Sequence, residues 1–346
     1  MKHTDNGLKR LTIGVSGIPR GYHFPGPDGN WLRPEHREKI LQAAPGSELR
    51  EIPAGRVDAA AADGIEVLLA EGGNRIHYPG ELDWEDYQRF FQPALRWVQL
   101  CSTGFSDNIT PEITDGSVTL TNAPGLHTGP IAESVLAAML AHAKNLDRRR
   151  LDQAAHAWRQ VKNSELFRST VLIIGLGRIG QETARLCRAF AMRVIGTKRH
   201  AAPVPNVDLV FPPEELAAHL PKADFIVMAV PLTPATENMI GPAEFAAMRE
   251  TAYLINVGRG RAVDEAAMVE ALQAGRIAGA YLDAFVTEPL PPDHVLWDLP
   301  NVRLVPHDSH SSPYIGDRMV DIFCANLRRY VWGEPLQNIC DPRRGY

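Results

Sequence analysis

A strand, a glycine turn, a helix and a second strand follow one another between Thr170 and Arg199, and no other stretch restricts the fold as tightly. Val171-Leu172-Ile173-Ile174 is wholly apolar, which predicts a strand buried on both faces of a parallel sheet. It runs into Gly175-Leu176-Gly177-Arg178-Ile179-Gly180, a G-x-G-x-x-G turn. In such a turn the first glycine permits the bend, the second lets backbone approach a pyrophosphate, and the third lets the helix pack on the strand. A helix over Arg178 to Ala191 then aims free N–H groups and its positive dipole end at the phosphates. The glycines alone are a weak signal, because a turn of this kind can serve packing only. Here Ile179, Ala184, Leu186 and Phe190 space an apolar helix face, and Met192 to Gly196 supplies the next strand. The unit is expected to bind a dinucleotide.

The 346 residues suffice for two domains, each with its own core. Hydrophobic residues at 45% and charged residues at 22% suit a soluble globular enzyme. A net charge of -5 without long Lys/Arg runs argues against nucleic-acid binding, which needs clustered positive charge. The one basic cluster, Arg148-Arg149-Arg150, is interleaved with Asp147 and Asp152 and reads as a solvated helix face. Cys101, Cys187, Cys324 and Cys340 are far apart and lack metal-ligand spacing, so reduced thiols, a cytoplasmic location and no metal site are expected. Met1 to Arg10 is polar and the apolar run after it covers only Leu11 to Val15, so neither a signal peptide nor a membrane span is expected.

Leu11 to Val15 reads as the first strand, followed by a long Gly- and Pro-rich loop from Gly17 to Pro34 that carries Arg20, Tyr22 and His23. A helix over Pro34 to Ala44 turns Ile40 and Leu41 inward, and Leu49 to Ile52, Ile65 to Leu69 and Trp97 to Cys101 are further strands. Segments of helical character such as Asp83 to Phe91 separate them. The alternation predicts a parallel sheet covered by helices. Asn122-Ala123-Pro124-Gly125 marks a boundary, after which Ile131 to Leu146 forms a long apolar helix and Asp147 to Lys162 a polar helical arm. Beyond the nucleotide unit, strands are expected at Val207 to Val210, Phe225 to Ala229, Tyr253 to Asn256, Ala278 to Asp283 and Val302 to Val305, with a helix at Glu214 to His219. Tyr314 to Val331 is amphipathic, with Ile315, Met319, Ile322, Phe323 and Leu327 at helical spacing.

Open α/β sheets bind ligands at the carboxyl ends of their strands, and several polar residues stand there. Ser102-Thr103-Gly104 follows Trp97 to Cys101 and offers backbone N–H groups to a carboxylate. Arg259, framed by Gly258 and Gly260, can bind a carboxylate with its guanidinium fork while polarising a neighbouring carbonyl. The bland alternative is a structural Arg paired to an acid. His307 follows Val302 to Pro306, and a carboxylate such as Glu288 beside it would hold the imidazole in one tautomer and favour its protonated form. Taken singly, His307 reads as structural and Glu288 as a surface loop residue. Asp283 can accept from a nicotinamide carboxamide.

Taken together these residues resemble the D-2-hydroxyacid dehydrogenase family. Gly175 to Gly180, Pro231-Leu232-Thr233, Asn256 to Gly260, Leu282-Asp283 with Glu288-Pro289, and Pro306-His307 occur in the family's order. The resemblance implies an α/β architecture of two Rossmann-like or flavodoxin-like parallel-sheet domains with an active-site cleft between them. It implies a split substrate domain, residues 1–124 with a C-terminal helix in 309–346, around a dinucleotide-binding domain at 125–308. Cofactor contacts are implied for Thr103, Gly175, Gly177, Arg178, Ile179, Gly180, Lys198, Arg199, Val230, Val257 and Asp283, and substrate contacts for Ser102, Thr103, Gly104 and Arg259. Arg259 would bind and activate a 2-oxo acid such as glyoxylate or hydroxypyruvate, His307 would pass the proton, and Glu288 would partner His307. Dimerisation through the nucleotide domain is also implied, in keeping with the Asp147 to Lys162 arm.

Two departures bear on function. NAD-dependent members usually carry an acid after the second nucleotide strand, where this chain has Thr197-Lys198-Arg199. A cation there can pair with a 2′-phosphate, so NADP(H) is expected over NAD(H). After His307 the family usually has small residues, whereas Asp308-Ser309-His310 adds a carboxylate and a rival acid. Other readings are a phosphite or other small-anion dehydrogenase of the same fold and a nucleotide-sensing, corepressor-like protein. Glu288 beside the histidine argues against formate oxidation, where the partner is typically Gln.

Overall fold

The structure, a computed structural model, describes residues 10–16, 31–52, 57–71, 82–105 and 108–343. Residues 17–30 of the expected Gly17 to Pro34 loop, with Arg20, Tyr22 and His23, lie outside the described residues, as do residues 1–9. The chain divides into two compact units, residues 1–127 with 311–346, and residues 128–310.

The first unit is a five-stranded sheet of order β2-β1-β3-β4-β5, all parallel. Its strands are β1 (Thr12–Ser16), β2 (Glu48–Ile52), β3 (Val67–Ala70), β4 (Trp97–Leu100) and β5 (Thr119–Thr121). The helices are α1 (Pro34–Ala43), α2 (Ala59–Ala62), α3 (Trp84–Arg89), α4 (Pro111–Thr114) and, from the other end of the chain, α11 (Ile315–Val331). This is the flavodoxin-like strand order. Ile315, Met319, Phe323 and Leu327 of α11 share one core with Ile40 and Trp97, and the Phe323 ring stacks on the Trp97 indole at 5.4 Å. Truncating Phe323 to Ala there would cost about 3–5 kcal/mol. The buried side chains between sheet and helix are paired: Trp97 Nε1 donates to Thr121 Oγ1 at 2.8 Å, Thr121 Oγ1 to Gln99 Oε1 at 2.9 Å, and Asn326 Nδ2 to Gln99 Oε1 at 3.2 Å.

The second unit carries a seven-stranded, fully parallel sheet of order β12-β11-β10-β9-β6-β7-β8. The strands are β6 (Thr170–Ile174), β7 (Arg193–Thr197), β8 (Leu209–Phe211), β9 (Phe225–Met228), β10 (Tyr253–Asn256), β11 (Gly279–Leu282) and β12 (Val302–Leu304). The helices are α5 (Thr128–Ala143), α6 (Leu146–Ala154), α7 (Arg178–Ala189), α8 (Leu216–His219), α9 (Pro242–Ala247) and α10 (Glu265–Gln273). Order reverses between β6 and β9, the switch point at which such sheets take ligands. Leu172 and Ile174 of β6 face one core, Val171 and Ile173 the other, and all four are fully buried.

Several expected details differ. Leu41 is 39% exposed, because α1 buries His36, Ile40 and Ala43, and a position one residue from Ile40 turns about 100° to solvent. The face of α7 buries Gly180, Thr183, Ala184 and Cys187, with Ile179 and Leu186 half-buried against the same core; Phe190 is the C-cap and 41% exposed, so it lies past the end of that stripe. The Asp147 to Lys162 arm is helical only to Ala154, after which His156 adopts a φ of 50° that no helix accepts. Arg148, itself exposed, pairs with the buried Asp152 at 3.1 Å. All four cysteines are free and buried, and burial pushes the thiols of Cys187 and Cys340 up to about 12. Among the described residues no helix is long and apolar enough to cross a membrane.

Candidate active site

The turn after β6 separates what the chain needs from what a ligand needs. Gly175 has a φ of 100°, and a Cβ on it would lie 2.7 Å from the Ala229 carbonyl oxygen and 2.8 Å from Val230 Cγ1. A Cβ on Gly180 would lie 2.2 Å from the Gly175 carbonyl oxygen. Both glycines are therefore demanded by packing. Gly177 is not: a Cβ there meets nothing within 4 Å, and as the α7 N-cap it brings no side chain to the first N–H groups. Open space beside uncapped donors at a twelve-residue helix suits a pyrophosphate. Arg178 is exposed and Ile179 half-buried at the same turn. Thr197, 2% exposed, fixes it from β7 by accepting from Gly175 N at 3.1 Å.

Lys198 and Arg199 follow β7 and are exposed, and among the described residues neither forms an ion pair. Val230 and Val257 follow β9 and β10, the next strands on the other side of β6, with Val257 buried and Val230 half-buried. The residues assigned to the nucleotide within this unit thus all lie at carboxyl ends of neighbouring strands.

Arg259, Glu288 and His307 follow β10, β11 and β12, three adjacent strands, and are tied into one framework. Asn256, 1% exposed, accepts from Gly258 N at 3.0 Å and donates to the Arg259 carbonyl at 3.1 Å, which sets the turn carrying the guanidinium. A Cβ on Gly260 would sit 2.0 Å from the Phe285 carbonyl carbon, so this turn seats against the next loop. Phe285 N donates to Glu288 Oε1 at 3.0 Å, and Glu288 Oε2 lies 2.8 Å from His307 Nδ1. One carboxylate thereby orients both its loop and the imidazole. Arg259 is exposed; Nη1 donates to the Gly258 carbonyl at 2.8 Å, and among the described residues its guanidinium pairs with no carboxylate. The structural ion pair that would be the bland alternative is not found among the described residues.

Asp283 is 4% exposed, with its N–H donating to the Asn256 carbonyl at 2.9 Å. Burial raises its carboxyl above the usual range, opposed by hydrogen bonds from Ser309 and by the charge of His307. His310 stands edge-on to His307 with ring centroids 6.3 Å apart, while Asp308 is exposed. In the first unit, Ser102 Oγ donates to the Gly104 carbonyl at 2.8 Å, and Thr103 and Gly104 are exposed.

The sequence assigns no individual role to Thr197, Asn256, Tyr281 or Ser309, although Asn256 opens one of the matching segments. Asn256 was discoverable: Asn two residues before a glycine is an Asx-turn signature. The hydroxyl groups carry no such local pattern, since their partners are distant in sequence.

Residues 136–309 match the family profile described as D-isomer specific 2-hydroxyacid dehydrogenase, NAD binding domain. The chain is 35% identical over 284 residues to glyoxylate/hydroxypyruvate reductase B of Pectobacterium carotovorum, which covers 80% of this chain and 87% of that one. It is 35% identical over 240 residues to D-3-phosphoglycerate dehydrogenase of Methanocaldococcus jannaschii, 67% of this chain but 45% of that longer protein. It superposes on the NADPH-dependent glyoxylate/hydroxypyruvate reductase of Sinorhizobium meliloti, solved with NADP and sulfate, at a TM-score of 0.73 and 26% identity, covering 97% of this chain and 100% of that one. With two parallel α/β sheets, a cofactor turn at the switch point and these relatives, the chain belongs to the D-isomer-specific 2-hydroxyacid dehydrogenase family of NAD(P)-binding oxidoreductases.

Proposed function

We propose that the protein reduces a small 2-oxo acid of the glyoxylate or hydroxypyruvate type to the D-2-hydroxy acid, using NADPH in preference to NADH. The observation that carries this reading is the 2.8 Å contact between Glu288 Oε2 and His307 Nδ1, next to an Arg259 that pairs with no acid among the described residues. Gly175, Gly177, Arg178, Ile179 and Gly180 would hold the pyrophosphate, Val230 and Val257 the flanking rings, and Asp283 the carboxamide. Reduced nicotinamide bound there supplies a hydride to the carbonyl carbon.

The rest is the work of the chain's own groups. Arg259 neutralises the substrate carboxylate and the charge that develops on the carbonyl oxygen as its π pair moves there. Glu288 takes the Nδ1 proton contact, so Nε2 of His307 is the nitrogen that gives its proton to that oxygen. In the first unit, Ser102, Thr103 and Gly104 are assigned to substrate and cofactor groups. His307 is taken as the acid because it directly follows β12 and Pro306 and meets Glu288.

Lys198 and Arg199, exposed and without an acidic partner among the described residues, would pair with a 2′-phosphate. The NADPH dependence of the Sinorhizobium meliloti reductase supports the same preference. Association of two copies through the second unit is supported by Leu151 and Trp158 of the arm and Phe167 beyond it, which are 64%, 99% and 53% exposed; light scattering reads the mass.

The test is a panel of 2-oxo acids assayed with NADPH and NADH. Rapid oxidation of NADPH with glyoxylate or hydroxypyruvate is expected, with kcat/KM at least about tenfold lower for NADH. Phosphite-dependent reduction of NADP without 2-oxo acid turnover would replace this reading with small-anion oxidation, and cofactor binding without any turnover with a sensing role.

A further inference from the structure

His307 is held in a conformation its own residue type does not favour. Its φ is 54°, in the left-handed region that residues other than glycine adopt only uncommonly. Nearby, its backbone N–H donates to the Val305 carbonyl at 2.8 Å, and Asp308 is exposed and, among the described residues, makes no hydrogen bond or ion pair. The restraint comes one residue later. Ser309 is 5% exposed, and each of its polar groups is engaged within the second unit. Its N–H donates to Asp283 Oδ1 at 3.1 Å, its carbonyl accepts from Ser134 Oγ of α5 at 3.3 Å, and its hydroxyl shares a hydrogen bond with the Tyr281 hydroxyl of β11 at 2.9 Å. Tyr281 is 5% exposed, and burial keeps its phenol protonated.

We propose that Tyr281 and Ser309 are positioning residues: their hydroxyl pair fastens the segment leaving β12, keeps His307 left-handed with Nδ1 on Glu288, and joins the acid to the carboxamide acceptor Asp283. The inference rests on the assignment of His307 as the proton donor. Without the hydroxyl pair, the segment relaxes toward negative φ, and the imidazole leaves the carboxylate that orients it. Cofactor and substrate contacts at Gly177, Lys198 and Arg259 lie on other strands and stay in place.

Tyr281→Phe and Ser309→Ala, alone and combined, test this with the full-length protein, NADPH and glyoxylate or the best substrate of the panel. Each single variant is expected to lower kcat about tenfold with KM for the 2-oxo acid within twofold, because a misplaced acid slows proton delivery more than it weakens binding. The solvent deuterium isotope effect on kcat should rise in both, and the double variant should be no slower than the slower single one. Wild-type kcat in both single variants, beside a His307→Gln protein that has lost turnover, overturns the positioning role and leaves the acid assignment standing. Normal turnover in His307→Gln removes the assignment itself. A loss of kcat that only follows the unfolded fraction, read by circular dichroism at the assay temperature, also overturns the proposal; if Tyr281→Phe fails to fold, Ser309→Ala alone decides it.

Discussion

The two turns that matter most, Gly175 to Gly180 after β6 and Pro306 to Ser309 after β12, reach unusual backbone geometry by opposite means. The first does it by omission. Gly175 and Gly180 carry no Cβ where one would strike the Ala229 and Gly175 carbonyl oxygens. The second does it by attachment: His307 keeps a φ of 54° while side chains from β11, α5 and the loop after β11 hold Ser309, two residues on. A turn built on missing atoms is rigid before any partner arrives and announces itself in sequence. One built on hydrogen bonds among separated residues exists only once the sheet has formed, and it can place a titrating group that glycine cannot supply.

The largest effect expected from breaking this contrast is at the attached turn. His307→Gln should lower kcat roughly a thousandfold with a normal melting temperature, since general acid catalysis contributes about 10²–10⁴. Steady-state kinetics beside a melting curve decides it, and a kcat within tenfold of wild type would move the acid to another residue. At the turn built by omission the damage should fall on stability instead. Gly180→Ala should destabilise the second unit by about 1–3 kcal/mol, as overpacked sites do. Gly177→Ala should melt like the wild type while weakening NADPH binding, so equal melting losses in the two variants would erase the distinction between packing and ligand glycines.

Smaller again is the change at the end of β7. Lys198→Ala should raise KM for NADPH about tenfold and leave that for NADH within twofold, as a lost exposed charge contact to a 2′-phosphate predicts. Equal changes for both cofactors would count against the phosphate assignment. The smallest effect concerns Asp283. Burial raises its carboxyl above the unfolded value, so between those two values the folded chain retains a proton that the unfolded chain has released. Stability from this group is therefore present at low pH and falls as pH rises through that window. Asp283→Asn should remove that slope, and the melting temperature of the variant relative to wild type should climb as pH rises from about 4. A gap that stays constant across the titration would contradict the burial argument.

Much of the architecture could be read from local patterns. Runs such as Val171 to Ile174 and Phe225 to Met228 have no polar face, and a strand of that kind is buried between two helical layers. β5 escaped notice because Thr119-Leu120-Thr121 is short and half polar. Thr121 is nonetheless fully buried, its hydroxyl paired with Trp97 and Gln99 from a strand more than twenty residues away. The Asp147 to Lys162 arm reads as helix throughout because charge patterning does not register a single left-handed residue such as His156.

Sequence alone determined the parallel α/β class, the cofactor turn and which polar residues follow which strands, because these depend on spacing and on side chains a few positions apart. Only the tertiary structure decided that Glu288 meets His307, that Arg259 is left without a carboxylate partner among the described residues, and that Tyr281 and Ser309 anchor the segment beside the acid. Those outcomes depend on distances between strands adjacent in the sheet but far apart along the chain, and such distances come into being only when the sheet assembles.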